Sequence, residues 1–277
     1  MRRLTALLLV ALLPTLAHAD PVTGVAGFGK LTRDQQKTAR AAMDRIACYH
    51  GCKGSIAHCL GQNSDTARRL ARYVVYLASK DVDVDLAAKV VDRRRQSVFP
   101  DKRHTITVGD APVTGKPSAP LTIVEYADFQ CRHCAALAPI LERLVHKEFK
   151  DRVALCFKVY PLRFKGPSLV TARAALAAQR QGKFWVMARL LFDNTEQHTA
   201  AGVEQLARKA GLDLERFRAA MKDTALLKQV ERDKIEGMRL GIQGTPTLYF
   251  NGKPHLLRKD EYHLRERIAE ELALLGR

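Results

Sequence analysis

The chain has 277 residues, 47% of them apolar, and a formal charge of +17. That length allows one large domain, or one domain with a smaller companion, and the apolar share supports a sizeable core. The positive residues are spread along the whole chain without a nucleic-acid motif, so they read as a basic surface with no nucleic-acid partner.

In chain order, residues 1–19 read as a cleavable signal peptide. Arg2 and Arg3 give a positive start, Leu4 to Leu16 is an apolar run, and Ala17-His18-Ala19 offers small residues where a signal peptidase cuts. The run is too short for a stable membrane anchor, which is the competing reading. Cleavage leaves a mature chain from Asp20 with a charge of +15. An exported chain meets an oxidising compartment, where disulfides form and persist.

Residues 20–98 read as a small, mostly helical, cysteine-containing region. Ala67, Leu70, Ala71, Val74, Leu77 and Ala78 recur at helical spacing over 66–79, and a second helix is predicted over about 85–96. Pro100, Pro112, Gly115, Pro117 and Pro120 mark 99–120 as a linker, with a short strand predicted at Thr105–Val108. The second half, 121–277, has a different grammar. Strands are predicted at 121–126 and 153–160, with a helix over 131–149 between them. A helical block follows over about 161–243, with Pro167 in a first turn, Gly182 and Gly211 at helix ends and Asp213 as a cap. A strand at 247–250 then turns at Asn251-Gly252 to a partner at His255–Leu257, and a helix over 260–275 closes the chain. The fold class is α/β with a helical insertion, preceded by the small helical segment.

The chemistry lies in Glu125-Tyr-Ala-Asp-Phe-Gln-Cys131-Arg-His-Cys134. Two cysteines one helical turn apart can form a disulfide across that turn. The first sits at the positive helix end, and Arg132 and His133 add charge, so a thiolate is favoured there. A more stable reduced form makes the disulfide a stronger oxidant. A lone CxxC is also half of a zinc site or an inert loop, but no second CxxC completes a zinc site, and Ala135 rules out haem attachment. Glu125, six residues before Cys131, is placed under the site, where burial would suit it to exchanging a proton with Cys134. Pro139 falls inside the helix and would kink it. Thr245-Pro246 precedes an apolar strand, and its peptide bond is a candidate for cis. A cis proline there would expose the Thr245 backbone to a substrate strand.

This set of motifs resembles the thioredoxin superfamily, and the helical block resembles the insertion of its DsbA-like branch. His133 matches the end of the DsbA dipeptide, whereas Arg132 replaces its proline. The resemblance covers about 120–277. It implies a thioredoxin fold, Cys131 as nucleophile, Cys134 as resolving cysteine, and carboxylate and cis-proline roles for Glu125 and Pro246. Thr245 and Arg132 would contact substrate, and Lys158 would pair with Glu125. With the signal peptide, the reading is a periplasmic oxidoreductase for which no cofactor or metal is expected. Its partners would be exported proteins and a membrane redox protein, either a quinone-linked oxidase or a reductase. Within enzymes the alternative to a dithiol oxidase is a disulfide isomerase or reductase; outside them it is an exported chaperone or metal-binding module.

Cys48, Cys52 and Cys59 fall close together with His50 and His58 interleaved. A structural disulfide, a metal site, a second redox relay and free thiols are the competing readings, and the odd cysteine could join Cys156, which is otherwise a buried thiol on a predicted strand.

Overall fold

The computed structural model describes residues 20–276, so the expected signal peptide lies outside the described residues. The chain forms two compact units, divided between Asp92 and Arg93.

The first unit is helical. Thr32 caps α1 (Arg33–Arg45) in a reciprocal capping box with Gln35. Ser55 caps α2 (Ile56–Gly61) and Ser64 caps α3 (Asp65–Ala78). The apolar stripe read from the sequence is the buried face of α3, with Ala67, Leu70 and Ala71 fully buried. A further helix, α4 (Val84–Val98), begins in this unit. Cys52 and Cys59 form a disulfide, while Cys48 is a buried free thiol.

The second unit is built on a five-stranded sheet in the order β1-β3-β2-β4-β5. Its strands are β1 (Val113–Gly115), β2 (Leu121–Ala127), β3 (Val153–Val159), β4 (Thr247–Phe250) and β5 (Lys253–Pro254). β2 and β3 run parallel, with Glu125 opposite Phe157 and Tyr126 opposite Lys158; the other pairings are antiparallel. The connection from β2 to β3 is α5 (Arg132–Arg143), continued by a π-helical turn over Leu144–Glu148. α5 runs through Pro139. The insertion holds α6 (Gly166–Gln179), α7 (Phe184–Asp193), α8 (Ala200–Lys209), α9 (Leu214–Lys222) and α10 (Thr224–Arg239), and α11 (Glu261–Leu274) ends the chain.

Side chains alternate across a strand, so β2 and β3 feed two different cores. Leu121, Ile123, Leu155 and Phe157 face one side, and Val124, Tyr126, Cys156 and Tyr160 face the other. Both faces are covered, which is why β3 is buried throughout its length.

Two local expectations are corrected. No strand forms at Thr105–Val108; the Thr107 N–H donates to the Glu236 side chain, and His104 N–H to the Gly252 carbonyl, rather than to a ladder. The strand lies later, at β1, and ends at Gly115, whose φ of +80° and whose approach to the Val153 carbonyl leave no room for a Cβ. The partner of β4 begins two residues earlier than His255–Leu257, at Lys253–Pro254, and His255 N–H adds a further bond to the Leu248 carbonyl at 2.9 Å. Asn251 and Gly252 both have positive φ, 48° and 81°, so the two-residue turn reverses the chain at once.

Candidate active site

β2 ends in a short loop that delivers Cys131 to the start of α5. Asp128, itself buried, fixes that loop by accepting from Gln130 N–H at 2.9 Å, Leu162 N–H at 2.8 Å and Ser168 Oγ–H at 2.9 Å. Cys131 is the N-cap of α5, and its carbonyl accepts from Cys134 N–H at 3.0 Å and Ala135 N–H at 3.1 Å. Its sulfur therefore sits at the positive end of the helix, with Arg132 and His133 exposed in the first turn and no acidic residue there.

The two cysteines differ in surroundings. Cys131 is partly exposed and Cys134 fully buried, and both are free thiols. Burial, and then the nearby charge of Glu125, push the Cys134 thiol far above the usual range. On the opposite side of Cys131, the Thr245–Pro246 peptide is cis, and the Cys131 thiol donates to the Thr245 carbonyl at 3.3 Å. The sequence separates these groups by 114 residues. The β2–β4 pairing joins them, because Tyr126 lies opposite Thr247.

Glu125 is 2% exposed, and its Oε1 has no hydrogen-bond partner among the described residues. Burial alone pushes its carboxyl up to about 8, so it carries a proton at neutral pH. The expected Glu125–Lys158 pair is not formed. Lys158 is opposite Tyr126 on the ladder and shares its face, whereas Glu125 faces the other way with Phe157. Lys158 Nζ instead lies 3.1 Å from Asp233 and 3.2 Å from Glu236 on α10.

Among the remaining cysteines, the Cys52–Cys59 bond takes two sulfurs away from the metal reading, and Cys156 is a buried free thiol on β3. Burial pushes the Cys156 thiol up to about 12. Two groups beside the site were not singled out from sequence. Asp128 carried no local signal, since its three partners include residues far along the chain. Burial lowers the proton affinity of Lys259, and the charge of Cys134 offsets this in part.

The sequence profile of the family described as thioredoxin matches residues 107–269. Among solved structures, BdbD from Bacillus subtilis superposes with a TM-score of 0.56 at 27% identity, over 62% of this chain and 97% of that one. A thioredoxin-like oxidoreductase from Silicibacter pomeroyi gives 0.54 at 27% identity, over 64% and 96%. The thiol-disulfide exchange protein alpha-DsbA2 from Wolbachia pipientis shares the fold, with a TM-score of 0.53 at 19% identity over 66% and 94%. The chain belongs to the thioredoxin family, and its helical insertion gives the second unit the fold of the DsbA-like thiol–disulfide oxidoreductases. A relative described as Na(+)/H(+) antiporter NhaA 1 of Mycolicibacterium gilvum is 34% identical over 146 residues, 52% of this chain and 24% of the relative. The chain thus spans about a quarter of that relative's length. No helix among the described residues is long and apolar enough to cross a membrane.

Proposed function

We propose that this thiol–disulfide oxidoreductase is an exported, periplasmic dithiol oxidase that introduces disulfides into other exported proteins. The observation that carries the reading is Cys131: a partly exposed sulfur at a helix start, with Arg132 beside it and no acid in the first turn. Positive charge around the sulfur stabilises the reduced pair, which makes the disulfide oxidising.

In the oxidised enzyme Cys131 and Cys134 are joined. A substrate thiolate attacks Cys131 Sγ; the new S–S bond forms as the Cys131–Cys134 bond breaks. Cys134 leaves as a thiolate and takes the proton that Glu125 holds at neutral pH, which its elevated affinity demands. The Thr245 carbonyl beside Cys131 offers the substrate backbone a hydrogen-bond acceptor, and Pro246 holds that edge in place. The substrate's second thiolate then attacks its own sulfur and releases Cys131. A membrane redox partner, quinone-linked by family likeness, reoxidises the pair. Arg132 acts through its charge at the helix start, where His133 lies beside it. The apolar run after Arg2 and Arg3 supports export.

The test is the reduction potential of Cys131–Cys134 by equilibration with glutathione. An oxidase gives a value near −120 mV rather than the −270 mV of a reductant, and a mostly oxidised pair in cells. A reducing couple found mostly as the dithiol would transfer the assignment to the isomerase or reductase.

A further inference from the structure

Beside Cys131 lies a groove of about 450 Å³ between the start of α5 and the loop before α6. Cys131 itself lines it, together with Arg132, Arg163, Lys165 and Leu162. Arg132, Arg163 and Lys165 are exposed, and none forms an ion pair among the described residues. The one carboxylate on the groove wall, Asp128, is buried and occupied by Gln130 N–H, Leu162 N–H and Ser168 Oγ–H. The groove therefore presents three unneutralised cations and one buried anion to whatever approaches the sulfur. Leu162, 47% exposed, adds an apolar contact between them.

We propose that this groove docks acidic, cysteine-bearing polypeptide segments, so that Arg132, Arg163 and Lys165 select thiols flanked by Asp or Glu. The proposal rests on Cys131 being the attacked sulfur, because only then does the groove hold the substrate. Charge complementarity at the reacting atom raises encounter rates and rejects like charge, with little demand on the rest of the sequence. The occupant is the dithiol substrate, whose thiolate must reach Cys131 along this groove.

The probe is a dithiol peptide in three versions, with Glu, Ser or Lys flanking one cysteine, oxidised by the mature full-length protein. The readout is the ratio of kcat/KM for the Glu version over the Lys version, taken within each variant so that general losses cancel. In low salt the ratio is expected to be at least about tenfold, collapsing towards one as salt shortens the screening length to about 3 Å at 1 M. Arg163→Ser with Lys165→Ser should cut it at least threefold. Lys147→Ser with Lys150→Ser removes the same charge ahead of β3, whose first residue pairs with Leu121 at the end of β2 away from Cys131, and should leave the ratio intact. A wild-type ratio near one, or an equal fall in both double variants, overturns the docking proposal. Oxidation of all three peptides by Cys131→Ser would instead overturn the reading of Cys131.

Discussion

On one face of the β2–β3 pair, Glu125 is 2% exposed, its Oε1 has no hydrogen-bond partner, and it makes no ion pair among the described residues. On the other face, Asp233 is 5% exposed, yet it accepts from Lys158 Nζ and from Val159 N–H, each at 3.1 Å. Burial is nearly the same and the outcome is opposite. Burial opposes the charge of Lys158, but Asp233 and then Glu236 outweigh it and raise its proton affinity, so it stays an ammonium. Burial raises Asp233 as well, but Lys158 and Val159 pull back and hold it to about 6. Glu125, with nothing to pull back, reaches about 8. A partnered carboxylate fixes α10 to the sheet; an unpartnered one is free to trade a proton in the neutral range.

The largest effect that sharpens this contrast comes from Glu125→Gln. A carboxyl raised from 4.5 to about 8 on folding binds its proton more tightly in the native state. Between those two values the folded protein holds a proton that the unfolded chain has released, so stability falls as pH rises from 4.5 to 8 and stays low above. The full shift corresponds to about 5 kcal/mol. Urea unfolding followed by Trp185 fluorescence should show that decline in the wild type and a flatter profile in Glu125→Gln, with turnover slowed about 100-fold at neutral pH. An unchanged pH profile would remove Glu125 from the proton account.

Asp233→Ala is the smaller counterpart. It leaves Lys158 buried with Glu236 alone and strips Val159 N–H of its acceptor, so the second unit should lose about 3 kcal/mol in the same unfolding assay. Its pH–rate profile should match the wild type, because that face of the sheet is opposite the one that carries Glu125 beneath Cys131 and Cys134. A shifted profile would mean that the two faces are coupled and the contrast between them false.

The site was legible in sequence where its parts are local. The spacing of Cys131, Cys134 and Glu125 and the apolar strand that carries Glu125 lie within the fourteen residues 121–134. Thr245 and Pro246 were readable because a proline before an apolar strand is a strong local signal. The partner of Lys158 was not, since it depends on strand alternation together with a helix 75 residues further on. Asp128 was hidden for the same reason, and the three clustered cysteines gave no basis for choosing Cys52–Cys59. In the fold, the turn residues Asn251 and Gly252 marked the hairpin, but the weak strand at 113–115 lay among prolines and was placed eight residues early.

The central claim is that Cys131, and not its buried neighbour, is the sulfur that substrates attack. Cys134→Ser leaves Cys131 able to trap a mixed disulfide, and Cys131→Ser removes the only partly exposed sulfur of the pair. Incubated with a thiol-activated peptide disulfide and analysed by intact mass, Cys134→Ser should carry one peptide, located at Cys131, and Cys131→Ser should carry none and show no dithiol oxidation. An adduct on Cys134, or dithiol oxidation by Cys131→Ser at the wild-type rate, would contradict the account.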